Sequence, residues 1–134
     1  MQNTLANVMK TILFIDDEDY LTLSLSKLLI GEGYNVLIVR NCKQAIRTYN
    51  DNLLDIDLIL MDITMSDMEG IDAYIELLKL AASMPILLMS VYSQASLNCL
   101  EYPYFIRKPM HPLTLTKTIK NIFRPNIHTL SVAA

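Results

Sequence analysis

Four acids in succession, Asp16, Asp17, Glu18 and Asp19, follow the apolar run TILFI. Adjacent carboxylates repel one another, and acids directly behind a buried strand call for a partner. Other polar residues stand in comparable places: Asp62 behind LILM, Ser90 behind ILLM, and Lys108 behind YFIR. Carboxylates that converge need a cation between them. Oxygen-only ligands favour a hard ion, and one or two direct carboxylates completed by water suit Mg2+ better than a full protein cage. A lysine and a hydroxyl on the far side of the same pocket suit an anion that bridges to the metal. Metal, lysine and hydroxyl around a phosphoryl group form an electrostatic clamp for its transfer. One carboxylate can then serve as nucleophile and form an acyl phosphate.

These residues meet only if the chain carries them to one place. Five short runs, TILFI (11–15), YNVLIV (34–39), DLILM (57–61), PILLMS (85–90) and YFIR (104–107), read as strands. The first four are apolar at successive positions, as in parallel strands covered on both faces. Helical spacing separates them. Leu21, Leu25, Leu28 and Leu29 form one stripe, with Asp19 placed to cap and Gly31 or Gly33 to end the helix. A shorter helix over 42–50 carries Ala45, Ile46 and Tyr49. Segment 71–82 opens after Gly70 and sets Ile71, Tyr74, Ile75, Leu78 and Ala82 on one face, while 112–123 has Pro112 in its first turn and Leu115, Ile119 and Ile122 inward. Segment 91–103 holds two helical turns at most, because Pro103 disfavours helix at Tyr102. The fourth helix is therefore expected to be short or irregular. This alternation predicts an α/β domain with helices on both faces of a parallel sheet. All strands then point one way, and the residues behind them gather along one edge, where ligands bind at the switch point in strand order.

The bulk properties narrow the classes. A chain of 134 residues, 52% hydrophobic and 19% charged, builds one globular domain with a sizeable core. A net charge of −3 without any Lys/Arg cluster argues against nucleic acid as a partner. Cys42 and Cys99 lack CxxC spacing and histidine partners, so neither a disulfide framework nor a zinc site is expected, and a reducing cytosol fits. The start MQNTLANVMK does not read as a secretory signal, and no apolar run approaches a membrane span. A cytoplasmic domain with no membrane partner is the expectation.

With those residues in place, the chain resembles the response-regulator receiver domain, the CheY-like phosphoacceptor module of two-component signalling. The resemblance covers residues 10–123, between an N-terminal extension (1–9) and a C-terminal tail (124–134). It rests on IDDE behind the first strand, LILMDITM followed by MEG, PILLMS, and RKP, in order and each at a strand end. It implies a flavodoxin-like, doubly wound, five-stranded parallel sheet of (βα)5 form. It also implies Asp62 as phosphoacceptor and Mg2+ as cofactor, with Asp17 a direct ligand, Asp16 acting through water, and Asp62 and the backbone carbonyl of Thr64 completing the protein set. Ser90 matches the family's switch hydroxyl, Lys108 the lysine that contacts phosphoryl oxygens, and Phe105 the switch aromatic. Pro109 matches the proline of a cis Lys–Pro bond. Phe105 has no hydroxyl, so any switching through it works by packing.

The implied partners are a histidine kinase or histidine phosphotransfer protein and an unknown downstream protein target, and a homodimer is left open. The domain would catalyse only its own phosphorylation and dephosphorylation. Some positions depart from the family. Ser66 stands where proline is common, Val91 and Tyr92 add bulk behind the switch hydroxyl, and the span from Ser90 to Lys108 is short. The shortfall falls on the weak fourth helix, part of the face through which the family often signals and dimerises. Two rival readings remain. A phosphohydrolase with an aspartyl-phosphate intermediate would usually carry a second acid two residues after its nucleophile, where this chain has Thr64. A degenerate receiver would have no need of the whole set of acids, serine and lysine. His111 and His128 lack a partner arrangement and read as surface residues, and the methionines read as core filling.

Overall fold

In this computed structural model the described residues are 9–51, 55–63, 75–80, 83–91 and 104–124. The expectations for Thr64, Ser66, Tyr92, the fourth helix and the C-terminal tail beyond Arg124 lie outside them. Five strands form one parallel sheet: β1 (Thr11–Ile15), β2 (Asn35–Val39), β3 (Leu58–Ile63), β4 (Ile86–Ser90) and β5 (Tyr104–Arg107). Their order is β2-β1-β3-β4-β5. Helices α1 (Asp19–Gly31), α2 (Cys42–Asp51) and α4 (Pro112–Phe123) lie between and after them, and residues 75–80 form the described part of α3.

Alternate residues of each strand feed two separate cores. Ile12, Phe14, Leu58, Leu60, Leu87 and Met89 pack with Leu25 and Leu29 of α1 and Leu115 and Ile119 of α4. Leu13, Ile15, Ile59, Met61 and Leu88 pack on the opposite face with Ala45 and Tyr49 of α2 and Leu77 of α3. Central strands buried on both sides need apolar residues at every position, which is why LILM and ILLM are unbroken runs. β2 differs. It is an edge strand in which Val39 alone is fully buried, and Ile38 is 46% exposed. An edge strand has one neighbour and only partial cover, although its sequence reads like that of a buried one.

Local chemistry fixes the helix ends. At the C-terminus of α1, Gly33 takes φ +98, the Gly33 N–H donates to the Ile30 carbonyl, and the Tyr34 N–H donates to the Leu29 carbonyl. This is a Schellman closure, for which the left-handed residue is best a glycine. The start of α1 corrects the sequence reading: the N-cap is Glu18, not Asp19, and no side chain caps it. The first turn is instead tied by the Thr22 hydroxyl, which donates to the Glu18 carbonyl at 2.6 Å. α2 is held by a reciprocal pair, Gln44 N–H to Asn41 Oδ1 and Arg40 N–H to Gln44 Oε1. α3 also corrects the expected face. Leu77 is fully buried while Ile75 is 39% exposed, so the inward stripe runs through Leu77 and Leu78.

Leu60 sits at the centre of β3 with no exposed surface. Leu60→Ala should lower the unfolding free energy by about 2–5 kcal/mol, read from urea denaturation. Ile38→Ala on the exposed edge should cost far less.

Candidate functional site

Strand order reverses between β1 and β3, and the acids stand at the carboxyl ends of these two neighbours. Asp16 follows β1 directly and is 5% exposed. Its backbone N–H continues the ladder to the Val39 carbonyl at 3.0 Å. Its Oδ1 accepts the Glu18 N–H at 3.0 Å, an Asx turn that fixes the carboxylate. Its Oδ2 is buried with no hydrogen-bond donor among the described residues.

Asp62 lies inside β3, not behind it as the apolar run suggests. The strand continues to Ile63, with Asp62 opposite Met89 and Ile63 opposite Ser90. Its side chain is 5% exposed and forms an ion pair and hydrogen bond through Oδ2 with Lys108 Nζ. Its Oδ1, like Asp16 Oδ2, is buried without a donor among the described residues.

Lys108 is aimed by the backbone. It follows β5, its N–H donates to the Ser90 carbonyl at 2.7 Å, and the Lys108–Pro109 peptide is cis. Ser90 ends β4 fully buried. The chain then turns into α4, where His111 is the N-cap and its Nδ1 accepts the Leu113 N–H at 3.1 Å. His111 is thus exposed, as expected, but it has a capping role that its spacing in the sequence did not signal.

Asp62, Lys108, Ser90 and Asp16 therefore meet at one edge. Asp17 is exposed at the rim, where its backbone carbonyl accepts from Arg40 Nη2 at 3.3 Å. Phe105 is half-buried against the core shared with α2 and α3. Val91 is 50% exposed and lines a groove of about 410 Å³ beside Lys108, with Pro109 and Met110 on its wall.

Burial raises the Asp62 pKa above the usual carboxylate range. The hydrogen bond and charge of Lys108 oppose the rise, and the charges of Asp16 and Glu18 reinforce it. Glu18, to which the sequence reading gave no role, thus belongs to the field of the site. One lysine does not compensate the acids gathered there. Two orphaned carboxylate oxygens in a buried, acid-rich pocket suit a hard cation. No group of three or more His, Cys, Asp or Glu among the described residues could hold a metal unaided.

Residues 12–120 match the response regulator receiver domain family. The chain is 35% identical over 82 residues to the transcriptional regulatory protein ZraR of Escherichia coli (strain K12), a match covering 61% of this chain and 18% of that protein. It therefore spans about a fifth of the length of that relative. It is 28% identical over 118 residues to the chemotaxis protein CheY of Thermotoga maritima, covering 84% of this chain and 97% of the relative. Among solved structures, the response regulator TrrA of Thermotoga maritima in complex with Mg(2+)-BeF superposes with a TM-score of 0.74 at 26% identity, covering 86% of this chain and all of that one.

Asp62 binds its proton more tightly in the folded chain than in the unfolded one. Its ionisation therefore costs folding stability: nothing below the unfolded pKa, increasingly as pH rises towards the raised folded value, and fully above it. In divalent-free buffer, Asp62→Asn should gain on the wild type across that rise when urea unfolding is measured at a series of pH values. A wild type that gains on the variant over the same range would contradict the assignment.

Proposed function

Because the chain belongs to the response-regulator receiver domain family, whose members are signalling modules and not enzymes of the ordinary kind, we propose that it accepts a phosphoryl group on Asp62 and thereby switches its protein contacts. The observation that carries the proposal is the state of the Asp62 carboxylate. It is buried and anchored through Oδ2 by Lys108, with Oδ1 lacking a donor among the described residues. One oxygen is held by the lysine, and the other keeps its lone pairs free of any donor among the described residues.

The donor would be a phosphohistidine on a histidine kinase or histidine phosphotransfer protein. Asp62 Oδ1 attacks phosphorus in line, the new O–P bond forms as the P–N bond breaks, and the electron pair returns to the imidazole, which then takes up a proton. Asp16, Asp17, Asp62 and the Thr64 carbonyl would hold Mg2+, which when bound neutralises charge on the phosphoryl oxygens. Lys108 then turns from the carboxylate to the phosphoryl oxygens, and the Ser90 hydroxyl donates to the same group. Ser90 and Lys108 are already joined through the Lys108 N–H and the Ser90 carbonyl, so a movement of one strand end is felt by the other. Phe105, in the adjacent strand and packed on the α2–α3 side, would carry the shift towards the surface by repacking. A downstream protein would read that change.

Incubation with Mg2+ and a small phosphoramidate or acyl phosphate should give one acid-stable, base-labile adduct, mapped by mass spectrometry to Asp62 and lost in Asp62→Ala. An unchanged adduct in the variant, or none in the wild type, sinks the proposal. Turnover of an unrelated phosphoester would favour a hydrolase instead.

A further inference from the structure

We infer that this chain forms a twofold dimer in which β2 pairs antiparallel with β2 of a second copy, making one continuous ten-stranded sheet. The starting observation is the state of that edge. Asn35 N–H donates to the Lys10 carbonyl and the Val39 carbonyl accepts from Asp16. By the alternation of a strand, Asn35, Leu37 and Val39 thus face β1, while the N–H and C=O groups of Val36 and Ile38 face away from it. Among the described residues β2 pairs on one side only. The edge carries none of the usual protections: the five residues NVLIV hold no charge, no proline and no bulge.

The open groups are also self-complementary. At the top of the strand the Arg40 N–H is already taken by Gln44 Oε1, and at the bottom the Tyr34 N–H is taken by the Leu29 carbonyl. What stays open among the described residues is one N–H and one C=O on each of Val36 and Ile38. An antiparallel pair centred on Leu37 sets Val36 opposite Ile38 of the second copy, and the reverse. All four groups of each strand are then used, in an isologous contact.

The flanks agree with that register. Leu23 and Ile38 line one groove of about 250 Å³ beside the edge. Leu23, at 54% exposed, lies seven residues from Ile30, at 56%, so the two share one stripe of α1. α1 runs opposite to β2, so the twofold axis brings Leu23 towards Ile30 of the second copy. Lys27 stands between them on the stripe and can cover apolar surface with its stem while its ammonium stays in water.

Charge complements the contact at both ends. Arg40 is exposed at the top of β2, and Glu32 caps α1 just below the bottom. Antiparallel pairing carries Arg40, whose Nη2 also donates to its own Asp17 carbonyl, to the end of the sheet where the second copy has Glu32. Glu32 then sits between its own Lys120, at 2.7 Å, and the incoming guanidinium. The two carboxyl edges point in opposite directions in such a dimer.

Sedimentation and light scattering should give twice the chain mass for the wild type and for Leu113→Lys, an exposed α4 control. Ile38→Lys, which places a charge on the edge, should give the single mass while its far-UV spectrum is unchanged. Leu23→Lys should weaken the dimer at least ~10-fold. Amide exchange at Val36 and Ile38 should slow as protein concentration rises. A wild type that stays monomeric at high concentration overturns the inference, as does a dimer that survives Ile38→Lys. Concentration-independent protection of these two amides also overturns it and assigns the edge to another part of the chain.

Discussion

Burying two like charges side by side is the constraint around which this site is organised. Asp16 and Asp62 stand at the ends of adjacent parallel strands, each with a carboxylate oxygen that no donor reaches among the described residues. A single lysine, Lys108, offsets part of that charge from the far side of β4. Removing a carboxylate from water without full compensation costs free energy, and the raised pKa of Asp62 expresses that cost. The domain can bear it because the rest of the sheet is apolar at nearly every central position. A polar edge on an apolar core is a common division of labour in α/β domains.

The topology explains why these residues meet. Asp16 and Asp62 are neighbours because β1 and β3 pair directly, with Ile15 opposite Met61. Ser90 joins them because β3 and β4 pair through Ile63 and Ser90. Lys108 arrives last, one residue beyond the partner of Ser90 in β5, and its own N–H closes on the Ser90 carbonyl. A perturbation at Asp62 thus has a short, bonded route to two strand ends on the far side of the sheet. That proximity is what makes a switch by small movements physically reasonable.

The strands and their parallel arrangement were legible in the sequence because unbroken apolar runs have few other meanings in a chain this short. Boundaries were less so. The run LILM ends at Met61, but the hydrogen-bonded ladder does not stop where hydrophobicity does, and Asp62 is carried inside β3. The face of α3 was misjudged because ELLKL offers two adjacent leucines, and only packing against the sheet selects Leu77 over Ile75. Asp19 looked like the cap, yet Asp16 reaches the Glu18 N–H and moves the helix start by one residue. β2 read as buried because β-branched residues fill it, and its exposure depends on strand order, which no local pattern contains. That Asp16, Asp62, Ser90 and Lys108 come to one edge was legible from order and strand-end position. The orphaned oxygens and the field of Glu18 were not, because both arise from distances across strands.

The most direct test of this account is thermal unfolding with and without Mg2+, comparing the wild type with the Asp16→Asn, Asp62→Asn double variant. If the buried carboxylates form a cation site, Mg2+ should raise the wild-type Tm in a saturable manner and leave the double variant unmoved. In the absence of the ion the double variant should melt at the higher temperature. A wild type indifferent to Mg2+, or a double variant stabilised by it to the same degree, would contradict the account.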